Sequence, residues 1–555
     1  MGVQRNSYLA AVCAGLLFFS LAHATQAVSG ALDPTFGLGG VAVADLGGYD
    51  NGYKLAVQPD GKIVVAGSAS VPGAVAFGLA RLKPDGTLDT SFGNGGKVFV
   101  NLFGYSVTFG DIALQPDGKI VVGGYAGVTA TSLDYDLWLV RFNSNGTYDT
   151  SFGQGGLVTT DLFAHSFDVL NALAVQPDGR ILAAGMVRKT NDDADYTVLR
   201  YLPDGSLDPQ FGTGGKAVTD VTGEDDVIYG LALQPDGKIV ATGFAVGREY
   251  AVVRYDGAGH PDPGFGTGGI AMPDSYRLPA VPFAIGVQPD GNIVAAGIGF
   301  PRTDSDFVLW RLLANGQPDT GFGTGGRVLT DFSGRSEQIH ALVLQDDGGI
   351  VAVGYTQVSG QFHTSDFAVA RYLSDGTLDP AFGTAGQVVD DFFGDDDYAM
   401  DAAGLPDGRF LVTGWVLGAP ETPRDARVVR YLGPQLANQP PTISGAAASP
   451  DTLWPANHKM IDVTIPYTVT DDHDPAAAVQ CSLSVASNEP VNGTGDGDTA
   501  PDWQILDQHH LRLRAERAGN GNGRIYTVTI TCQDTAGAAS NQTVTVRVPK
   551  SQGKK

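Results

Sequence analysis

The side chains of this chain that could do chemistry fall into three groups. Two stretches near the C-terminus are dense in carboxylates, Asp471-Asp472-His473-Asp474 and Gly495-Asp496-Gly497-Asp498. Clustered oxygen donors suit a hard cation, so Asp471, Asp472, Asp474, Asp496 and Asp498 are candidate calcium ligands. The spacing misses the glycine and glutamate positions of a twelve-residue EF-hand loop, and solvated acidic turns are the plain alternative. The second group is Cys481 and Cys532. An even pair confined to one segment of an exported chain suggests one disulfide, with two buried thiols as the alternative. The third group is Lys54, Asp111 and Asp401, far apart in sequence and meaningful only through a repeat. There is no His-Glu-x-x-His, no Gly-x-Ser-x-Gly and no paired histidine in the repeat region. His165, His260, His340 and His363 are scattered and read as incidental. No residue is assigned a catalytic role.

The elements that must position these groups are set by the repeat. The tetrapeptide Gln58-Pro59-Asp60-Gly61 returns at 115–118, 176–179, 234–237 and 288–291, with degenerate copies at 345–348 and 405–408. Each copy has apolar runs of three to six residues bounded by turn residues, as strands require. In the second copy these are Ile112–Leu114, Lys119–Val122, Leu137–Phe142 and Leu157–Thr160. The tetrapeptide makes the first hairpin: Pro presets φ, Asp suits the next position and Gly takes a left-handed one. A second turn and Asp-x-x-Phe-Gly follow the third strand. Seven four-stranded units predict an all-β chain built on a seven-bladed β-propeller; a β-solenoid is the runner-up. Residues 31–46 are a lone copy of a unit's last piece, and the seventh copy stops at Gly433-Pro434. The N-terminal strand is therefore expected to complete the seventh blade and clasp the ring. A shifted register, with each blade starting at Phe-Gly, would need no clasp.

Two charged positions recur in every copy: an arginine ending the third strand (Arg81, Arg141, Arg200, Arg254, Arg311, Arg371, Arg430) and an aspartate before Phe-Gly (Asp33, Asp89, Asp149, Asp208, Asp262, Asp319, Asp379). A half-buried arginine needs a carboxylate or carbonyls, and the aspartate of the same or the next blade is its natural partner. Seven identical pairs are a structural device. Function should appear where copies differ. Four residues before the turn's first position stand Lys54, Asp111, Ala172, Gly230, Ala284, Ala341 and Asp401. The three charged exceptions belong to blades one, two and seven, neighbours in a closed ring. They would place Lys54 between two carboxylates at one side of the channel as a ligand-binding cluster, or simply as an ion-pair network.

The wider composition narrows the classes. The chain has 555 residues, 76 Gly, 31 Pro, 43% hydrophobic and 17% charged residues, and a net charge of −25. That charge opposes binding to nucleic acid or anionic membranes. Residues 1–27 have Arg5, an apolar run of about fourteen residues and small residues near Ala24 and Ala27, as in a secretory signal peptide. The run is short for a spanning helix, and the residues before Cys13 fit a lipoprotein signal poorly. The expected organisation is a signal over 1–27, the propeller over 28–434, a linker over 435–440, a β-sandwich of about seven strands over 441–549 with the cysteines bridging across it, and a basic tail over 550–555. A secreted or cell-surface protein, with the periplasm as a variant and a monomer as the simplest state, is expected.

These repeats resemble the bacterial delta-60 repeat family, an uncharacterised β-propeller, across residues 31–434. The tail, with Leu453-Trp454-Pro455-Ala456-Asn457-His458 and Asp498-Thr499-Ala500-Pro501-Asp502-Trp503, resembles an Ig-like or HYR-like module of secreted bacterial proteins. The resemblance implies export, adhesion or spacing for the tail, and no catalytic residues. The expectation is a non-catalytic binding or surface scaffold whose partner is a protein or a polysaccharide. The alternative is a secreted hydrolase or lyase with its site in the channel, in which calcium could take part.

Overall fold

The computed structural model describes residues 29–46, 51–71, 74–100, 107–128, 134–163, 165–188, 193–246, 249–272, 280–301, 304–358, 364–418, 424–434, 440–471, 478–490, 500–518, 522–535 and 537–550. The signal-like segment lies outside them, as do Asp472, Asp474, Asp496, Asp498 and His363. Every regular element among the described residues is a strand. No helix there is long and apolar enough to cross a membrane.

Each tetrapeptide turns a hairpin as its chemistry demands. In the first, the Gly61 amide donates to the Gln58 carbonyl at 2.8 Å and Gly61 sits at φ 77°. The strands on either side run antiparallel, and the third and fourth follow in order, so a blade reads Asn51–Val57, Ile63–Val71, Ala74–Leu82, Lys97–Val100. Six such blades lie within 51–390. In the seventh, Asp397–Gly404, Phe410–Leu417 and Arg424–Tyr431 are completed by Val41–Val43, which pairs antiparallel with the last of them, Val41 opposite Val429. The expected clasp is therefore present. Each innermost strand touches the next, and Asp397–Gly404 touches Asn51–Val57, so the molecule is a closed β-propeller. A hydrophobic cluster fills each of the seven seams; Val64, Phe92, Ile112 and Trp138 fill the one between blades one and two.

The recurrent arginines lock the seams from the turn face. Each pairs with the aspartate eight residues on in its own blade, as in Arg141 Nε to Asp149 at 2.7 Å; Arg430, in the clasped blade, takes Asp33 at 2.8 Å. The same guanidinium donates to a turn carbonyl of the following blade: Arg81 to Ser144, Arg141 to Pro203, Arg200 to Gly257, Arg254 to Ala314, Arg311 to Ser374 and Arg430 to Pro84. Arg371 differs, taking Gln345 and Asp347 instead. The aspartate thus comes from the same blade and the carbonyl from the next. The Phe of Phe-Gly lies under the guanidinium, 4.4 Å away for Phe152 and Arg141. It also explains the glycine of the next blade's second turn: a Cβ on Gly146 would stand 2.8 Å from the Phe92 ring.

Residues 440–550 form separate small sheets of two, three and three strands around a core that includes Leu453, Leu511, Tyr526, Ile530 and Val546. Arg524, fully buried there, is held by Asp502 at 2.6 Å and Glu516 at 3.3 Å. Cys481 and Cys532 form a disulfide. It does not bridge two sheets as expected. The cysteines face each other on neighbouring strands of one sheet, Gln480–Ser487 and Gly523–Gln533, with Cα atoms 4.1 Å apart. That is close to the spacing of a non-hydrogen-bonded antiparallel pair.

Candidate functional site

The innermost strands are longer than the sequence suggested, and their extra N-terminal halves make the channel wall. Each has a β-bulge at the same place. Register slips between Gly52 and Lys54, Phe109 and Asp111, Leu170 and Ala172, Ile228 and Gly230, Pro282 and Ala284, Ile339 and Ala341, and Ala399 and Asp401. The extra residue is Tyr53, Gly110, Asn171, Tyr229, Phe283, His340 or Met400. A bulge breaks the two-residue alternation and re-aims a side chain. Here all seven extra residues line one cavity of about 590 Å³, with Lys54, Ser68 and Phe109.

Lys54, Asp111 and Asp401 come together as expected. Lys54 Nζ lies 3.7 Å from Asp401 Oδ1. Burial alone would lower the Lys54 ammonium, but Asp401 and Asp111 outweigh it and hold it above its ordinary value. Burial pushes Asp111 up to about 6, against the pull of Lys54. Asp401 is raised too, again by burial first. Both carboxylates also staple seams: Asp401 Oδ2 accepts the Leu55 N–H of blade one at 3.0 Å, and Asp111 Oδ2 accepts the Leu173 N–H of blade three at 2.7 Å. Asp111 Oδ1 accepts its neighbour Ile112 N–H at 2.8 Å.

What sequence reading missed is the residue beside this position. Five residues before the turn's first position, the copies read Tyr, Gly, Asn, Tyr, Phe, His and Met, a variable and largely aromatic column. His340 is therefore not incidental. It lies between Phe283, with centroids 5.6 Å apart, and Tyr355 at 5.7 Å. Phe283 meets Tyr229 at 5.2 Å. From Tyr355 the contacts run on through Tyr398 to Trp415, where Arg424 stacks 3.6 Å from the ring centroid. Burial, then Lys54, hold the His340 imidazole down to about 4, so it is neutral at neutral pH, with one ring nitrogen a donor and the other an acceptor. The wall combines aromatic faces, a neutral imidazole, the Asn171 amide and one ammonium. Exposed His165 pairs with half-buried Asp134 at 3.2 Å, and His260 lies in a turn. In the tail only Asp471 of the acidic candidates is described.

The family profile described as a β-propeller domain of unknown function (DUF5122) matches residues 58–92, 115–152, 176–211, 234–265, 288–322 and 345–382. These are six of the seven copies, each from the first residue of the tetrapeptide to the Phe of Phe-Gly. No curated protein sequence matches the chain. Among solved structures, Sqt1 of Chaetomium thermophilum is 10% identical with a TM-score of 0.39, over 70% of this chain and 98% of that one. A glucose dehydrogenase is 13% identical with a TM-score of 0.33, over 70% and 99%. A mannose phosphorylase of Leishmania mexicana is 12% identical with a TM-score of 0.26, over 69% and 84%.

Proposed function

We propose that this chain is an exported, non-catalytic binding protein whose propeller holds a saccharide, free or as part of a polysaccharide, in the bulge-lined channel, while an Ig-like C-terminal module serves adhesion or spacing. One observation carries the reading. The bulge that every blade repeats directs seven residues of six different kinds into a single cavity. A repeated backbone with a variable column of side chains is a scaffold for recognition. Tyr229 and Phe283 offer apolar ring faces for C–H groups, and Asn171, His340 and Lys54 offer donors and acceptors for hydroxyls, as small-ligand sites require. The signal-like segment supports export.

The test is binding of a panel of soluble oligosaccharides to the full mature chain, read by calorimetry. Tyr229→Ala and Phe283→Ala should each weaken binding tenfold or more with the fold retained by circular dichroism. Absence of binding across the panel, or binding indifferent to both substitutions, would overturn the proposal. A secreted hydrolase or lyase is the second reading, favoured by Asp111, which burial brings to about 6. Both of its oxygens already accept backbone amides, which supports the binding reading; turnover lost in Asp111→Asn would reverse that.

A further inference from the structure

The face of the ring opposite the turns carries a second repeat, made of acids. In blade two, Asp136 lies on the third strand opposite Ala126, Asp161 follows the fourth strand, and Asp168 opens the innermost strand of blade three. The same three positions hold Asp195, Asp220 and Asp226 one seam on, and Asp366, Asp391 and Asp397 between blades six and seven. At those two seams a donor or a cation meets the acids in part. Asp226 accepts two backbone amides and the Thr222 hydroxyl, and Asp366 pairs with Arg335 at 2.6 Å, although Asp397 beside it keeps one buried oxygen without a partner.

The seam between blades two and three is different. One oxygen from each of Asp136, Asp161 and Asp168 falls within 4.8 Å of the other two. Among the described residues no lysine or arginine pairs with any of the three. Lys216, the nearby cation, donates to the Leu162 carbonyl at 2.8 Å, and His165 is on Asp134. Asp168 is fully buried; its Oδ2 accepts the Leu162 N–H at 2.8 Å, and its Oδ1 has no partner in hydrogen-bonding geometry. A buried carboxylate oxygen without a donor is costly unless a proton or a cation sits against it. Burial first, and then the other two acids, push Asp168 up to about 7 against the pull of the Ser166 hydroxyl and the Leu162 N–H.

We propose that Asp136, Asp161 and Asp168 form a divalent-cation site, of calcium type, that ties blade two to blade three. The donors are all carboxylate oxygens, which suits a hard ion over zinc or copper. An all-carboxylate set that is open to solvent on one side suits the flexible, high-coordination geometry of calcium better than the rigid octahedron of magnesium. The ion would take up the orphan oxygen, cancel the mutual repulsion of the acids, and leave open positions to solvent on the exposed Asp161 side. This site is separate from the channel, and it stands or falls independently of saccharide binding.

The test is calorimetric titration of calcium chloride into the EDTA-stripped full chain near pH 7.5, with Asp161→Asn and Asp136→Asn beside it. Asp161 is exposed, so its variant should fold. The tail loops could also take calcium, so the readout is the difference: the parent chain should bind one more equivalent than either variant, or bind it at least tenfold tighter. Calcium should raise the melting temperature of the parent and not of Asp161→Asn through this site. Equal stoichiometry and affinity in parent and both variants would overturn the proposal. So would a parent that takes up no calcium while Asp161→Asn melts higher in EDTA, the mark of carboxylates sharing a proton.

Discussion

Replacing Lys54 with methionine removes a cation from beside two half-buried carboxylates while keeping most of the stem's volume. At 3.7 Å the pair with Asp401 is worth about 4 kcal/mol at an effective dielectric of about 20. The side chains keep 28% and 16% of their exposure toward the channel, so water screens the pair and about 2 kcal/mol is expected. The pH dependence identifies the cause. Asp111 sits at about 6 in the folded chain, above its ordinary 3.8, so its ionisation already opposes folding as pH rises through that interval. Without Lys54, both Asp111 and Asp401 rise further. The Lys54→Met deficit should therefore be largest near pH 8 and shrink toward pH 5, where Asp111 takes its proton. Urea unfolding at the two pH values, followed by circular dichroism, measures it. Lys54→Met with Asp401→Asn should recover much of the loss, because asparagine still accepts the Leu55 N–H and carries no charge. The His340 imidazole, held down to about 4 by burial and then by Lys54, should also rise in the single variant, as seen by NMR titration. An equal loss at both pH values, or no loss at either, would refute the argument that the Lys54 charge is coupled to these acids.

Two further outcomes concern the scaffold. Arg141→Met leaves Asp149, 9% exposed, with Lys119 and Ser151 as its remaining partners and releases the Pro203 carbonyl of the next blade. It should cost about 1.5–3 kcal/mol, seen as a lower propeller melting temperature, with partial rescue by Asp149→Asn. Replacing Cys481 and Cys532 together with serine opens a loop spanning 51 residues. It should cost about 4 kcal/mol in the C-terminal module and leave the propeller transition unmoved in calorimetry.

The ring was legible because its determinants are local and repeated. Gly61 and its copies need left-handed φ, and Arg141 needs a carboxylate, so turn and pair could be read from one copy and checked in six others. The clasp followed from counting, since residues 31–46 supply the strand that the seventh copy lacks. The wall of the channel was not legible for a physical reason. Alternation counted along an innermost strand from its turn does not reach it, because a bulge resets alternation with no residue that announces it: the extra position holds Tyr53, Gly110, Asn171 and Met400 alike. The comparison that would have found it is between copies, where this column varies while the turn beside it does not. The acids at the seams escaped for a similar reason, because Asp136, Asp161 and Asp168 belong to two blades and meet only when the ring closes. The disulfide was read correctly as a pair and wrongly as a bridge between sheets, since strand order cannot be had from two cysteines on alternating strands.

The two ends of the ring follow different rules. On the turn face, arginine, aspartate, phenylalanine and glycine satisfy one another blade after blade, and only Arg371 departs from the scheme. A surface so uniform has little with which to tell one ligand from another. On the opposite side the bulges vary the channel wall, and the seam acids meet an arginine at Asp366, a hydroxyl and amides at Asp226, and at blades two and three one amide on Asp168 with no lysine or arginine among the described residues. Specificity must be built from differences, and the differences lie in the bulge-lined channel and at the seams. If a saccharide is bound there and an ion ties blade two to blade three nearby, the rigid turn face is what lets the variable side change without loss of the ring.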